Sequence, residues 1–218
     1  MKKNKISKNW LIKRHKDQFF KQSKIQGYRS RSAFKLIEMN QKFRFLKNNT
    51  CLLDLGSSPG GWTQVVAKKI TKGKILALDI KSMEKIDQVE FLKVDINKPD
   101  VFEKIFTFFD KKIDLVISDM ATSTTGNKNM DSYRTGELCL KAMNLAQKIL
   151  HKEGVFLSKL FMGSIFFEIN KKANKCFEKV IKYKPLSSKK ESKEIYIYCK
   201  GVSKFFNFSE VWYIMWVK

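Results

Sequence analysis

A short turn rich in glycine lies between an apolar run and a helix-like run near residue 60. The turn, Gly56-Ser57-Ser58-Pro59-Gly60-Gly61, follows the apolar run Cys51 to Leu55, which includes Asp54. Glycine permits positive φ and close approach of a ligand, because it has no Cβ. A strand, turn and helix in this order place a ligand at the carboxyl end of a strand in an open α/β sheet. Asp54 could accept a hydrogen bond there from a ligand ammonium or from the amides of the turn.

The turn differs from two common phosphate-binding loops. It has no Gly-Lys-Ser/Thr ending, and it lacks the full G-x-G-x-x-G spacing of a dinucleotide site. The sequence therefore indicates a nucleoside ligand without a pyrophosphate, and S-adenosylmethionine fits that description. A tight turn that holds no ligand is the alternative.

Four charged residues stand beside apolar segments. Asp119 ends the run that starts at Leu115, Lys159 stands near the end of the run from Val155 to Leu160, and Glu194 precedes Ile195-Tyr196-Ile197-Tyr198. Lys35 lies in a basic helix-like stretch. An apolar strand with a lone charge at its end can aim that charge into a crevice. The alternative is that these side chains are merely exposed, as most Lys and Glu are.

Hydrophobic periodicity predicts the elements that position these residues. The predicted strands are Cys51–Leu55, Ile75–Asp79, Glu90–Val94, Ile113–Ser118, Val155–Leu160, Glu178–Lys184 and Ile195–Cys199. The predicted helices lie near Trp10–Gln22, Ala33–Met39 (with Ser32 as N-cap and Phe34, Ile37 and Phe45 at core-facing spacing), Gly61–Ile70, Val101–Phe109, Ser132–Leu150 and Ser164–Phe177. Alternating strands and helices imply a mostly parallel sheet with helices on both faces. Thr122 to Asp131 is predicted to be a long polar loop.

Basic residues are concentrated towards the two ends of the chain. The formal net charge is +23 over 218 residues. Residues 1–50 hold 15 Lys/Arg against 2 acidic residues, 51–170 hold 17 against 15, and 171–204 hold 11 against 3. Basic segments around a nearly neutral middle are expected of a protein that binds a phosphate backbone. A compositional bias towards lysine is the alternative, but it does not explain the neutral middle.

Other classes of site are disfavoured. The four cysteines contain no C-x-x-C pair and there are only two histidines, so neither a metal site nor a Cys/His nucleophile is indicated. Buried, reduced thiols in a cytosolic protein are the simplest account. We predict a cytoplasmic protein without stable membrane association, since no apolar run could span a bilayer and the basic N-terminus lacks the apolar core of a secretory signal. A mitochondrial presequence is the weaker alternative.

Several short motifs occur in one order along the chain. They are Arg29-Ser30-Arg31-Ser32-Ala33-Phe34-Lys35-Leu36, Asp54-Leu55-Gly56 with Pro59-Gly60-Gly61-Trp62, Ala77-Leu78-Asp79, Val94-Asp95, Ser118-Asp119-Met120-Ala121, Lys159-Leu160-Phe161 with Gly163, and Ser192-Lys193-Glu194-Ile195-Tyr196. Through them the chain resembles, over about residues 9–201, the FtsJ (RrmJ-type) family of large-subunit (23S) ribosomal RNA ribose 2′-O-methyltransferases. Each motif alone is weak, but together they are highly specific.

The resemblance implies the fold and the organisation of the chain. The fold is a Rossmann-like class I methyltransferase that depends on S-adenosylmethionine. Its mostly parallel sheet has seven strands, with helices on both faces and the strand at Ile195–Cys199 antiparallel. Residues 1–27 would form a basic arm, residues 28–201 the methyltransferase domain and residues 202–218 an aromatic extension.

The resemblance also implies roles for individual residues. The catalytic tetrad would be Lys35, Asp119, Lys159 and Glu194. The cofactor residues would be Asp54, Gly56, Pro59, Gly60, Gly61, Trp62, Asp79, Asp95 and Asp119, with Asp79 on the cofactor ribose and Asp95 on the adenine amino group. Two stretches depart from the family pattern, which commonly has Pro-Asn at Thr122-Ser123 and Gln at Met162. Both departures touch loops that shape the acceptor pocket.

A ribose 2′-hydroxyl is a poor nucleophile, so the protein must align it with the activated methyl group and help to remove one proton. Lysine acts as a base only if its pKa falls well below about 10.4, and a second ammonium or a cationic cofactor nearby would lower it. We therefore expect Lys159 to be the base or the residue that orients the hydroxyl, with Lys35 as the neighbouring charge. Asp119 would orient Lys159, and Glu194 would fix either Lys35 or Lys159.

The predicted partner is ribosomal RNA, within an assembled or assembling large subunit, and the protein is expected to be a monomer. The candidate phosphate contacts are Lys13, Arg14, Lys21, Lys24, Arg29 and Arg31. The acceptor is predicted to be a uridine. The alternatives are a 2′-O-methyltransferase of transfer RNA or of the messenger cap, and a non-catalytic RNA-binding factor of ribosome assembly.

Overall fold

The computed structural model describes residues 17–122, 125–189 and 191–203. Its elements are α1 (Gln18–Ile25), α2 (Ser32–Phe43), β1 (Leu52–Leu55), α3 (Gly61–Lys69), β2 (Ile75–Asp79), β3 (Val89–Lys93), α4 (Val101–Phe109), β4 (Ile113–Ser118), α5 (Lys128–Ile149), β5 (Leu150–Phe161), α6 (Phe166–Cys176), β6 (Phe177–Tyr183) and β7 (Glu194–Val202). Every predicted strand is present. The largest difference is at β5, which starts at Leu150 rather than Val155.

The seven strands form one sheet in the order β3-β2-β1-β4-β5-β7-β6. Neighbouring strands are parallel except β7, which runs antiparallel to both β5 and β6. This arrangement confirms the predicted fold class and its antiparallel strand. The strand order reverses between β1 and β4, and in open α/β sheets the ligand crevice lies at the carboxyl ends of the strands at that point.

Both faces of the sheet are covered by helices. Helices α4, α5 and α6 pack on one face, against a core that includes Leu53 and Phe156. Helices α2 and α3 pack on the other face, against a core that includes Leu52, Leu115 and Leu157. We call the second the α2–α3 face. Because successive residues of a strand point to opposite faces, residues two or four positions from Leu52, Leu115 and Leu157 also lie on it.

The start of α2 differs from the prediction. Ser32 is not the N-cap but the first residue of the helix, and Arg31 occupies the N-cap position without a capping side chain. The hydroxyl of Ser32 lies 2.6 Å from that of Ser30, and its carbonyl accepts a hydrogen bond from the indole of Trp62 at 2.9 Å. Ser32 thus links α2 to α3 instead of capping its own helix.

The buried face of α2 is also rotated from the predicted one. Ala33, Leu36 and Met39 are fully buried. Phe34 and Ile37, which the pattern placed in the core, are only half-buried, although Ile37 still packs against the core. The small side chain of Ala33 faces the core, while Phe34 faces helix α1, where its ring lies 5.6 Å from that of Phe19.

Two further boundaries differ from the prediction. The last four residues of the predicted polar loop form the first turn of α5, where the Asn127 side chain caps the helix by accepting from the amides of Asn129 and Met130. Helix α1 runs from Gln18 to Ile25, capped by Asp17, and so extends beyond the predicted end at Gln22. The candidate residues Lys13 and Arg14, the arm before residue 17, Ser123 and the 205–218 tail lie outside the described residues.

The four cysteines are buried and form no disulfide, as predicted. Among the described helices, none combines the length and apolarity that crossing a bilayer requires.

Candidate active site

Charged side chains form a row across four neighbouring strands at the carboxyl edge of the sheet. Asp54 lies in β1, Asp119 follows β4, and Lys159 lies in β5. Glu194 begins β7, the next strand in the order β1-β4-β5-β7. By strand alternation all four are on the α2–α3 face, and Lys35 meets them from helix α2. The structure therefore brings together the four side chains of the predicted tetrad, with Asp54 beside them.

Lys159 and Asp119 form one buried ion pair. Nζ of Lys159 lies 3.0 Å from Oδ1 of Asp119 and also donates to its main-chain oxygen at 2.7 Å. Burial alone would raise the pKa of Asp119, but the charges of Lys159 and Lys35 outweigh it, so that pKa lies below its usual value. Asp119 is therefore ionised and holds the amine of Lys159 through two contacts.

Lys35 and Glu194 form the second pair. Nζ of Lys35 lies 2.5 Å from Oε1 of Glu194, and the hydroxyl of Ser188 donates to the same oxygen at 2.8 Å. The sequence left open whether Glu194 fixes Lys35 or Lys159, and in the structure its partner is Lys35. The four residues are thus two adjacent pairs rather than one mixed cluster.

Tyr196 lies between the two pairs and was missed as a site residue. Its hydroxyl donates to Oδ1 of Asp119 at 3.1 Å, and its ring centroid is 5.8 Å from Nζ of Lys35. Burial, together with the charges of Asp119 and Glu194, raises its pKa well above the usual value, so the phenol remains a neutral donor. The available signal was its position two residues after Glu194, which puts both side chains on one face.

Replacing Tyr196 by Phe is expected to slow methyl transfer about tenfold while leaving cofactor affinity nearly unchanged. The ring would stay packed, but Asp119 would lose one of its hydrogen bonds. A hydrogen bond to a charged acceptor contributes about 1 kcal/mol or more of free energy. The measurement is kcat together with cofactor Kd. A matched control is Tyr133→Phe, which alters a phenol on the exposed surface of α5. If Tyr196→Phe changed the cofactor Kd and left kcat unaltered, the assigned position of Tyr196 on the acceptor side would be wrong.

Asp54 is a buried carboxylate whose second oxygen lacks a partner. Oδ2 accepts a hydrogen bond from the Thr63 hydroxyl at 2.7 Å, whereas Oδ1 has no hydrogen-bond partner among the described residues. Burial raises the pKa of Asp54 to about 7; the Thr63 hydrogen bond opposes the shift, and the charges of Asp119 and Asp79 add to it. A cation placed beside Oδ1 would satisfy this oxygen and favour its ionised form.

The glycine turn leaves room only for backbone. At Gly56, which has φ of +78°, a Cβ would come within 2.6 Å of the Met120 side chain. At Gly60, with φ of +113°, it would come within 2.8 Å of the Arg29 guanidinium. The hydroxyl of Ser57, in the same turn, is buried without a described partner. A close backbone turn with an unpaired carboxylate oxygen fits S-adenosylmethionine, whose sulfonium and ammonium are both cationic.

The remaining predicted cofactor residues are two aspartates near strand ends, Asp79 and Asp95, and two residues at the glycine turn, Pro59 and Trp62. Asp79 ends β2 and accepts hydrogen bonds from the amides of Ser58 and Lys81 at 2.9 and 2.7 Å, which joins the glycine turn to the next strand. Asp95 follows β3 and accepts from the amide of Asn97 at 2.9 Å. Trp62 is only 2% exposed; its indole bonds to α2, so it packs the two helices together. Pro59, also in the predicted cofactor set, accepts a weak hydrogen bond at 3.4 Å from Arg29.

Of the predicted RNA-contacting residues that the structure describes, two lysines are exposed and two arginines contact protein groups. The side chains of Lys21 and Lys24 are exposed on α1. The guanidinium of Arg29 donates to the carbonyls of Glu84 and Lys85. That of Arg31 contacts Asp17 and the carbonyl of Ser187. The two arginines therefore bind protein groups, whereas the two lysines face outwards.

Within residues 17–122, 125–189 and 191–203, no three His, Cys, Asp or Glu side chains are grouped so that they could hold a metal ion.

Residues 28–202 match the FtsJ-like methyltransferase family. The chain is 47% identical over 200 residues to "Ribosomal RNA large subunit methyltransferase E" of Pelagibacter ubique, a match that covers 92% of this chain and 98% of that protein. The match to the same-named protein of Acinetobacter baylyi is 38% identical over 205 residues, with 93% and 95% coverage.

Solved structures agree with this assignment. A ribosomal RNA methyltransferase structure from Plasmodium falciparum superposes with a TM-score of 0.73 at 35% identity, over 80% of this chain and 98% of that chain. A methyltransferase from Streptococcus mutans has a TM-score of 0.50 at 14% identity, over 76% and 97%, and shares the fold alone. The family that the motifs indicated is confirmed, and with it the predicted class of enzyme. On the agreement of motifs, sheet order and relatives, this chain belongs to the FtsJ-like methyltransferases.

Proposed function

We propose that the protein transfers a methyl group from S-adenosylmethionine to a ribose 2′-hydroxyl, with a uridine as acceptor, in the RNA of the large ribosomal subunit. The observation that carries the proposal is the row of side chains in which Asp54 lies at one end, the Lys35–Glu194 pair at the other, and Lys159 with Asp119 between them. The methyl donor fits the Asp54 end. The acceptor fits the end formed by β5 and β7.

S-adenosylmethionine is the methyl donor, and it supplies a methyl group already activated by the positive sulfur. Asp54 supplies a buried carboxylate for the cationic end of the donor, and the glycine turn supplies a close backbone surface. Asp79 and Asp95 stand at the ends of the next two strands, where we assign them the ribose hydroxyls and the adenine amino group. The Streptococcus mutans methyltransferase was solved in complex with SAH, the demethylated product of this donor.

The chemical step needs a proton acceptor beside the 2′-hydroxyl. Lys159, in its neutral form, takes the hydroxyl proton as the oxygen–carbon bond forms and the carbon–sulfur bond breaks. Asp119 holds the amine of Lys159 through two contacts and thereby fixes its direction. Lys35, held by Glu194, provides the ammonium that contacts the hydroxyl or the phosphate next to it. Tyr196 keeps Asp119 in place through its phenol. This scheme requires no metal ion.

Ribosomal RNA is the acceptor in the printed names of the relatives, and the charge of this chain suits such a substrate. We further propose that the RNA is methylated within an assembled or assembling large subunit, that the enzyme acts as a monomer, and that it works in the cytoplasm. Helix α1, which carries Lys21 and Lys24, packs beside α2, the helix that also carries Lys35. Phosphates bound along α1 would lie close to the acceptor end of the row.

The direct test offers wild-type protein and labelled donor to three separate substrates, namely large subunits that lack the modification, transfer RNA, and capped messenger RNA. Label is expected in large-subunit RNA, at a nucleotide that then resists alkaline cleavage. Label confined to transfer RNA or to the cap would favour the corresponding alternative. RNA binding with no label in any of the three would indicate a non-catalytic assembly factor.

Removing the charges of Lys21 and Lys24 together, as Lys21→Gln/Lys24→Gln, is expected to weaken RNA binding and its dependence on salt. The slope of log affinity against log salt should fall by about 1 for each lysine that contacts a phosphate. The measurement is RNA affinity between low and moderate salt. The control is Lys111→Gln/Lys152→Gln, which removes two exposed charges near the opposite edge of the sheet. Equal slopes for the two double variants would show that α1 does not contact phosphates.

A further inference from the structure

Phe161 is an aromatic residue beside the tetrad to which the mechanism assigns no role. It is the last residue of β5 and lies two positions beyond Lys159, so both side chains are on the α2–α3 face. Its direct cross-strand partner is Glu194, which places the two Cβ atoms about 5 Å apart. The ring therefore borders the Lys35–Glu194 pair, at the end of the row away from Asp54.

The ring of Phe161 is not committed to the protein core. Leu157 and Tyr196 on the same face are buried in the α2–α3 core, whereas Phe161 is half-buried and belongs to neither core cluster of the described residues. Its main chain, in contrast, is held on both sides. The Phe161 carbonyl accepts from the Ser132 hydroxyl at 3.2 Å, and the next amide, that of Met162, donates to the carbonyl of Lys193 at 3.0 Å.

A half-buried aromatic residue on a fixed backbone matches a need of the acceptor. A nucleotide that presents its 2′-hydroxyl to Lys159 must be held in one orientation, and a base that leaves the stack of its neighbours needs a flat apolar surface. The charged side chains of the row cannot provide one. Stacking on an aromatic side chain can, and it tolerates any base because every base has a π-face.

We propose that Phe161 stacks against the base of the nucleotide whose 2′-hydroxyl is methylated and so positions that nucleotide for Lys159. This inference rests on the proposed function and adds the residue that holds the acceptor. Phe161 is a positioning residue, and its contribution is to the placing of the nucleotide rather than to the choice among bases.

The test compares wild type with Phe161→Leu and Phe161→Tyr on large ribosomal subunits assembled from unmethylated RNA. Leucine keeps the apolar bulk but has no π-face, whereas tyrosine keeps the ring. We expect kcat/KM to fall about tenfold in Phe161→Leu and to stay within twofold of wild type in Phe161→Tyr. Cofactor Kd should be unchanged in both. Phe167→Leu, which alters a phenyl group that is 75% exposed on α6, is the matched control and should behave as wild type.

A second substrate separates stacking from simple packing. In subunits whose target nucleotide lacks its base, wild type and Phe161→Leu should methylate at equal rates. A deficit of Phe161→Leu that persists on the abasic substrate, or that appears as weaker cofactor binding, would overturn the assignment, as would a Phe161→Leu variant as fast as wild type on the normal substrate. Wild-type protein that methylates no RNA would instead overturn the proposed function, and this inference with it.

Discussion

Lys159→Met is expected to lower the rate of methyl transfer by about 10³-fold, the usual contribution of a positioned general base, and to leave cofactor affinity within about twofold of wild type. Methionine has nearly the length of lysine but can neither accept nor donate the proton. The cofactor affinity should persist because the donor fits the Asp54 end of the row, two strands away in the sheet. Single-turnover transfer of labelled methyl, with cofactor Kd measured separately, provides both numbers.

This variant needs a control for folding, because it leaves the Asp119 carboxylate buried without its cation. Breaking a buried pair in this way costs about 3–5 kcal/mol of stability. The double variant Lys159→Met/Asp119→Asn removes the orphaned charge, and an amide oxygen at position 119 can still accept from Tyr196. We expect the double variant to recover stability without recovering activity. Activity that returned together with stability would mean that Lys159 has only a structural role.

Asp54→Asn is expected to remove a strong pH dependence of cofactor binding. With a pKa of about 7, the buried Asp54 carboxyl of the free protein is mostly protonated at pH 6 and mostly ionised at pH 8. Because a cationic ligand favours the ionised form, wild-type affinity for S-adenosylmethionine should fall about tenfold from pH 8 to pH 6. Calorimetric titration at several pH values measures this fall. The same titrations with Asp54→Asn measure any pH dependence that comes from the ligand itself, and this is subtracted from the wild-type result.

The raised pKa of Asp54 also makes the stability of the ligand-free protein depend on pH. The pKa of this carboxyl is raised above the ordinary value of 3.8, so its contribution to the free energy of unfolding is fully present at low pH and is lost as pH rises through about 7. That loss amounts to about 4 kcal/mol. Asp54→Asn should therefore be the more stable protein at pH 8, whereas Asp110→Asn, at an exposed helix end with positive φ, should not be. Parallel pH profiles for wild type and Asp54→Asn, in stability or in affinity, would contradict the assignment.

The strands and the four charged residues could be predicted from the sequence because both depend on local pattern. Each apolar run is long enough to identify a strand, and Asp119 and Lys159 stand where a strand ends. The roles of these residues came from the resemblance of the motifs. The glycine turn was also predictable from local sequence pattern. The structure shows why glycine is needed there, since a Cβ at Gly56 or Gly60 would meet a neighbouring side chain.

The partner of Glu194 could not be predicted, because it depends on register between distant segments. Lys159 faces Tyr196 and Phe161 faces Glu194 only through the antiparallel alignment of β5 with β7. The inward direction of the Arg29 side chain could not be predicted from the sequence either. Its partners are main-chain carbonyls of residues 84 and 85, which no side-chain pattern reveals.

The starts of two helices were misplaced because the residue type at each start did not reveal the role of its side chain. Ser32 has a residue type that favours the N-cap position, but its hydroxyl bonds Ser30 and its carbonyl bonds Trp62. Asn127, in contrast, does cap its helix, and the pattern of polar residues around it concealed the start of α5.

Methylation of a ribose oxygen is tested most simply by replacing the 2′-hydroxyl itself. Large subunits are assembled with a single 2′-deoxy substitution at the mapped target nucleotide and incubated with wild-type protein and labelled donor. If the row formed by Lys159, Asp119 and the Lys35–Glu194 pair acts on a ribose oxygen, the deoxy substrate should accept no label while still competing for the enzyme with near-normal affinity. Methylation of the deoxy nucleotide, on its base or elsewhere, would contradict it.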